Sequence, residues 1–352
     1  MSERCVHFGV CGGCTLQDLS LEAYRARKRE AVVRALGRHG FDDANVAHVI
    51  AVLPGTRRRA VFEIARKDGI TSIGFHALKS HDIVDMRQCL VLTPGLLQLT
   101  SHLRRLMQGI LANGQHAEAH VSDVDNGIDI AFRASVQFKP ALTRAFAEAA
   151  ADMNAIRVSW NGALAFESAI PRVRFGRADV EMPVESFLQP VRAGEEILLT
   201  HVREAVKGAR TIADLFSGCG TFSLPLAERA RVHAVEKERA MLDALLVAAK
   251  KTSGLKPVTV AARDLFKVPL TAAELDKFDA VTLDPPRAGA QAQAVQLARS
   301  KVAQVAYVSC DVASFARDAR ILADGGYHMG TVTPVDQFLW SEHIELVAAF
   351  SR

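Results

Sequence analysis

The sequence predicts an α/β chain: a C-terminal Rossmann-like, doubly wound domain, preceded by a central α+β domain and an N-terminal cysteine-cluster region. Three observations predict it. After Pro190, apolar strand-like runs alternate with amphipathic helical runs, the pattern of βαβ units that close a parallel sheet. The first of these strands runs into Ser217-Gly218-Cys219-Gly220, a turn whose glycines let backbone approach a ligand at a helix start. Four of the six cysteines, Cys5, Cys11, Cys14 and Cys89, lie in the first 89 residues, ahead of and among a series of short β-like runs. The boundaries read as 1–44, 45–185 and 186–352.

Residues 1–40 are a cysteine-rich loop and then a helix. Ser20 can cap it, and Leu21, Tyr24, Val32, Val33 and Leu36 form its apolar stripe. In the central domain, Ala60–Ala65, Thr71–His76, Ile128–Phe132, Ala155–Trp160 and Ala163–Ser168 read as strands, with one helix over Pro94–Leu111. The last domain opens with a helix over Glu195–Val206. Strands follow at Thr211–Phe216, Val232–Glu236, Val258–Ala262, Ala280–Asp284 and Val305–Ser309, with helices at Phe222–Arg229, Arg239–Lys250, Gln291–Arg299 and Ser314–Ala323. Two late runs, His328–Pro334 and Ile344–Phe350, complete the sheet.

Composition bounds the class. The 352 residues are 49% hydrophobic and 23% charged, ordinary for a folded globular chain. No run of about 20 apolar residues exists, so no membrane span is expected. The start lacks a basic stretch followed by an apolar one, so no signal peptide is expected, and a cytoplasmic location follows. There cysteines stay reduced, and clustered ones read as metal ligands or catalysts. The net charge is +4, yet Arg25, Arg27, Lys28, Arg29, Arg34, Arg38, Arg57, Arg58, Arg59, Arg66 and Lys67 crowd the first 70 residues. Such a cluster suits a polyanion. Nothing calls for an obligate oligomer, and a monomer is expected.

Ligands of doubly wound sheets sit at the carboxyl ends of the strands. Here those ends carry acids: Glu236, Asp264 and Asp284. Ser223 stands where a dinucleotide fingerprint wants glycine or alanine, which disfavours NAD. Glu236 can accept hydrogen bonds from ribose hydroxyls. Successive acids fit a neutral or cationic nucleoside better than a phosphate, and S-adenosylmethionine, a sulfonium, is the natural candidate. Cys219 reads as packing beside it. Cys310 follows a strand into the same crevice, and Glu345 opens the last strand. A thiolate and a carboxylate beside a methyl donor are what methylation of a pyrimidine at C5 needs. The thiolate adds to C6, C5 gains nucleophilicity, and a base removes the C5 proton.

The chain resembles the RNA 5-methyluridine (uracil-C5) methyltransferase family, S-adenosylmethionine-dependent enzymes that modify uridine in ribosomal or transfer RNA. The resemblance covers nearly the whole length. It rests on Cys5, Cys11-Gly12-Gly13-Cys14 and Cys89, on Phe187-Leu188-Gln189, on Asp214 to Gly220, on Asp284-Pro285-Pro286-Arg287, on Ser309-Cys310 and on His343-Ile344-Glu345. It implies that Cys310 is the nucleophile and Glu345 the base. Gln189, Phe216, Glu236 and Asp284 would line the methyl-donor site of a Rossmann-like methyltransferase domain. The implied partner is RNA, with 23S ribosomal RNA favoured and transfer RNA the alternative. A non-catalytic RNA-binding or assembly factor, and another acceptor such as cytosine or DNA, are the competing readings. The family usually continues its nucleophile motif with Asn-Pro, where this chain has Asp311-Val312. Lost proline is expected to loosen the loop, and the added carboxylate to raise the thiol pKa. Many members begin with a small RNA-binding β-barrel (the TRAM type), which is not expected here.

Four thiolates with one short pair can hold zinc or a cubane cluster, and spacing alone does not decide. The resemblance implies a [4Fe–4S] cluster on Cys5, Cys11, Cys14 and Cys89. Its expected role is structural, tying the basic N-terminal helix to the middle domain through Cys89.

Overall fold

A computed structural model describes residues 4–352; the first three residues, part of the start read above, lie outside the described residues. Helix α1 (Leu21–Gly37) is capped by Ser20, whose hydroxyl accepts a hydrogen bond from Ala23 N. It buries Tyr24, Lys28, Val32 and Leu36. A short strand, β1 (Ile50–Ala51), follows.

The middle of the chain forms a seven-stranded sheet from β2 (Arg59–Lys67), β3 (Ile70–His76), β4 (Ile83–Asp85), β5 (His116–Val124), β6 (Gly127–Ala134), β7 (Ala155–Trp160) and β8 (Ala163–Glu167). Its order is β4-β3-β2-β5-β6-β7-β8. All pairs are antiparallel except β6–β7. That parallel pair needs a crossover, and α3 (Pro140–Ala150) supplies it. Helix α2 (Pro94–Ile110) covers the sheet with Leu96, Leu99, Leu103 and Met107. The hairpin β9 (Arg172–Phe175) and β10 (Ala178–Glu181) packs instead into an apolar cluster with Leu224, Leu242 and Leu245 of the last domain.

That domain runs α4 (Arg192–Ala205), β11 (Thr211–Leu215), α5 (Ser223–Leu226), β12 (Arg231–Glu236), α6 (Arg239–Lys251), β13 (Val258–Ala262), α7 (Ala272–Leu275), β14 (Ala280–Leu283), α8 (Gln291–Arg299), β15 (Gln304–Ser309), α9 (Val312–Asp324), β16 (His328–Met329), β17 (Thr333–Asp336) and β18 (Glu345–Ser351). The nine-stranded sheet has the order β1-β17-β18-β15-β14-β11-β12-β13, with β16 paired to β18. Strands β13, β12, β11, β14 and β15 are parallel, as the alternation predicts. Strand β18 then enters antiparallel between β15 and β17. This makes the sheet a mixed Rossmann-like one.

The N-terminal segment differs from its expected place. Val32, Leu36, Val46 and Val49 are buried in one core with Leu283, Tyr307, Phe315 and Phe350, and β1 pairs with β17. Helix α1 is therefore seated on the C-terminal sheet, not on the middle domain. The reason is its apolar stripe: each such residue gains about 1.5–3 kcal/mol by burial, and the open flank beside α9 takes them. Part of the basic cluster also turns inward. Lys28 pairs with Asp336, Arg58 pairs with Glu195 at 2.7 Å, and both cations are nearly fully buried. Arg25, Arg27, Arg34, Arg38 and Lys67 stay exposed. No helix among the described residues is long and apolar enough to cross a membrane.

Candidate active site

The carboxyl edge of the parallel strands opens onto a cavity of about 470 Å³. Gln189, Phe216, Glu236, Asp284, Cys310 and Glu345 all line it, so the six residues singled out for donor binding and catalysis meet in one place. Strand register explains the last two. Ser309 of β15 pairs with Leu346 of antiparallel β18, so the residues just beyond that pair, Cys310 and Glu345, come to the same end of the sheet.

The floor is built by the turn after β11. Phe216, at φ +63°, occupies the left-handed region although it has a side chain, a conformation that costs energy and is kept where surroundings dictate it. Its ring packs against Phe266, with centroids 5.4 Å apart. Gly220 (φ +97°) lets the turn press on α6: a Cβ there would lie 2.9 Å from Leu245 Cγ. Ser223, read above as evidence against a dinucleotide, donates its hydroxyl to buried Asp214 at 2.5 Å. Burial lifts the Asp214 carboxyl to about 7.

Glu236 is oriented by backbone. One carboxylate oxygen accepts from Lys237 N (2.7 Å) and Glu238 N (3.1 Å), the other from Gly218 N (3.1 Å). One lone-pair site remains for a ligand hydroxyl. Asp264 accepts from Phe266 N at 3.1 Å, a loop cap at the cavity wall. Asp284 takes a hydrogen bond from Gln189 Nε2 (3.3 Å). Its carboxyl lines the cavity at intermediate exposure and is raised to about 7 by desolvation.

Sequence reasoning missed Gln337. Its Nε2 donates to Gln189 Oε1 (2.9 Å) and to Glu345 Oε1 (3.3 Å), tying donor-site glutamine and carboxylate together. An internal glutamine between Asp336 and Phe338 gives no signal by composition; only its place just before the last strand could have marked it. Glu345 is buried, and its second oxygen, Oε2, has no partner among the described residues. Burial, and then the charge of Asp284, raise its carboxyl to about 8. Burial, then Glu345 and Asp284, push the Cys310 thiol to about 12, with Arg287 acting in the opposite sense. Asp311 does not act as expected. Its carboxylate accepts from Ala313 N (3.1 Å) and Ser314 N (2.8 Å) and caps α9, which fixes the loop that lost its proline. Cys219 is packed in an apolar cluster, as expected.

The cavity suits the proposed donor. Among the described residues its acids Glu236 and Asp284 have no cationic side-chain partner; of its two cations, Arg263 is taken by Glu274 and Lys237 lies exposed at its edge. Ser217 Oγ is buried with no partner among the described residues. Such a surface favours a sulfonium with ribose hydroxyls over a phosphate.

Three comparisons bear on this geometry. A family model for tRNA (uracil-5-)-methyltransferase matches residues 174–352. An uncharacterized RNA methyltransferase of Rhizobium meliloti is 40% identical over 99% of this chain and 85% of its own length. The 23S rRNA (uracil(1939)-C(5))-methyltransferase RlmD of Halomonas elongata is 33% identical over 97% of this chain and 74% of its own. The chain belongs to the tRNA (uracil-5-)-methyltransferase family. A crystal structure of a Pyrococcus abyssi tRNA (uracil-54, C5)-methyltransferase with S-adenosyl-L-homocysteine shares the fold of this family member. Its TM-score is 0.75 at 23% identity, over 99% of this chain and 87% of that one.

This uracil-5-methyltransferase family member has a second cavity, of about 610 Å³, lined by Cys5, Cys11, Cys14 and Cys89. All four are free thiols of intermediate exposure. Burial lifts Cys14 to about 12, followed by the charge of Cys89, and Cys11 and Cys89 are also raised by burial. Gly13 N points at Cys11 Sγ (3.5 Å), and the Val91 and Leu92 amides point at Cys89. Amides aimed at sulfur stabilise a thiolate once a metal displaces its proton. Among the described residues, no three or more Cys, His, Asp or Glu side chains converge closely enough to hold one metal ion.

Proposed function

We propose that this family member transfers a methyl group from S-adenosylmethionine to carbon 5 of a uridine in RNA. One observation carries the reading: Cys310, just beyond β15, and Glu345, at the start of β18, line a single cavity with Gln189, Phe216, Glu236 and Asp284. The bound donor supplies an electrophilic methyl group on a sulfonium. Glu236 accepts a ribose hydroxyl, and Asp284 with Gln189 faces the charged end. Cys310 gives its thiol proton to solvent and its Sγ adds to C6 of the uracil, and the enolate so formed takes the methyl group at C5, leaving the donor as its neutral thioether. Glu345, ionised once the donor's sulfonium lowers its raised carboxyl pKa, removes the C5 proton through Oε2, the oxygen not engaged by Gln337. The C5–C6 double bond re-forms and the Cys310 thiolate departs. A base inside a helix hides C5 and C6, so the target lies in a loop or is flipped out.

The same proposal assigns Cys5, Cys11, Cys14 and Cys89 to a [4Fe–4S] cluster. What supports the assignment is that all four free thiols line one cavity, with a tetrahedral zinc ion as the alternative occupant. The Halomonas relative favours 23S ribosomal RNA as the substrate, and the archaeal neighbour makes transfer RNA the alternative.

The test is incubation with S-adenosylmethionine carrying a labelled methyl group and total RNA from cells lacking the gene, followed by nucleoside mass spectrometry and mapping. Label in 5-methyluridine of 23S ribosomal RNA is expected. Label in transfer RNA selects the alternative substrate. No 5-methyluridine in either RNA, or methylation at the normal rate by Cys310→Ala, overturns the reading.

A further inference from the structure

The segment from Asp336 to Glu345 joins β17 to β18 and carries both Gln337 and the proposed base. It is not held by its own strands alone. The ammonium of Lys28, on α1, reaches it at both ends: Nζ donates to Asp336 Oδ1, to Phe338 O at 3.2 Å and to His343 O at 2.8 Å. All three of its protons are thus used on one segment. Tyr24, one turn earlier on the same helix, donates its hydroxyl to Asp336 Oδ2 and accepts from Trp340 N at 2.8 Å. Leu16 N adds a bond to Trp340 O at 2.9 Å.

A buried lysine is costly and is found where its charge is matched. Lys28 is 2% exposed and Asp336 0% exposed. Surface attachment of α1 needs no such pair, since Val32 and Leu36 already seat the helix. What the ammonium adds is geometric. Its contacts at 336, 338 and 343 span the segment whose two ends place Gln337 and Glu345. Gln337 in turn engages Glu345 Oε1, while Oε2 of that cavity-lining residue is buried with no partner among the described residues.

We infer that Lys28 is a positioning residue for the proton-abstraction step, acting through the 336–343 segment on Gln337 and Glu345 and not on RNA. The inference rests on the proposed roles of Cys310 and Glu345. It predicts a selective defect: addition and methyl transfer survive, while removal of the C5 proton fails.

The experiment compares wild type, Lys28→Met and the double variant Lys28→Met with Asp336→Asn, which removes both buried charges and protects the fold. RNA carrying 5-fluorouridine has no C5 proton to lose, so it traps the methylated covalent adduct. Expected for the double variant are wild-type adduct yield on that RNA and turnover on ordinary RNA lowered roughly 100-fold, the effect of a small misplacement of a catalytic group. Covalent complex should then accumulate on ordinary RNA. Hydrogen exchange at the Phe338 and Trp340 amides should quicken while strand amides of β15 stay protected. Wild-type turnover in the double variant overturns the inference. So does parallel loss of adduct and turnover, or unchanged exchange in the segment. Absence of any adduct with wild type overturns the roles of Cys310 and Glu345 themselves, and the exchange result then still decides whether Lys28 holds the segment.

Discussion

Replacing Glu345 with glutamine isolates what burying this carboxyl costs the fold. In the folded protein its pKa is about 8, against 4.5 for the ordinary group. Below pH 4.5 the carboxyl holds its proton whether folded or not, and this contribution is fully present. Between pH 4.5 and about 8 the unfolded chain releases a proton that the folded chain keeps. Folding is then weakened by about 1.4 kcal/mol for each pH unit. Across that window the ceiling is about 5 kcal/mol. Relaxation and water penetration, expressed as a higher effective dielectric, bring the expected value to roughly 2–3 kcal/mol. Glutamine has the same shape, accepts the Gln337 bond and carries no titrating proton. Urea unfolding of both proteins from pH 5 to pH 9 measures the difference. The variant should match wild type near pH 5 and gain steadily, reaching roughly 2–3 kcal/mol by pH 8.5. A difference independent of pH would refute the reasoning, because it would mean the carboxyl is ionised in the folded protein throughout.

Binding of S-adenosylmethionine near pH 7 should release protons, because a sulfonium beside Asp284 lowers a carboxyl now held at about 7; calorimetry in buffers of different ionisation enthalpy measures it, and the release should vanish in Asp284→Asn. Gly220→Ala should destabilise the protein by roughly 1–3 kcal/mol in thermal unfolding, since its Cβ would lie 2.9 Å from Leu245 Cγ and its φ is +97°. After anaerobic reconstitution with iron and sulfide, wild type should bind four iron atoms per chain and absorb in the visible, and Cys89→Ala should lose that absorbance; stoichiometric zinc with no visible absorbance would replace the cluster by a single ion.

Most of the candidate site was legible because each residue sits at a fixed offset from an apolar strand. Val258–Ala262 and Ala155–Trp160 coincide with the strands seen, and Glu236, Asp284 and Cys310 follow from where strands end. Two kinds of feature were not legible. Strand β5 carries Ala117 and Ala119 inward, residues too small to raise an alternating hydrophobic signal above their neighbours. Lys28 lies among arginines and reads as one more outward cation, because a single charge at an apolar helix position is visible only when its partner, Asp336, is known. Gln337 is hidden for the same reason: its meaning lies in Gln189 and Glu345, far apart in the chain.

Strand β1 and helix α1 have a consequence for how this protein is made. The sheet that holds the cavity takes its edge strand from residues 50–51 and its flanking helix from residues 21–37, yet its other strands begin at residue 211. During synthesis the first-made part of the core waits while the whole middle domain emerges and folds. Helix α1 meets its partner α9, and β1 its partner β17, only late in synthesis. A fragment beginning where the family model begins, at residue 174, would be born with Phe315 and Phe350 missing their cover from Val32 and Leu36. The catalytic domain is therefore closed by its own N-terminus, and co-expression of residues 1–52 in trans is the direct way to restore such a fragment.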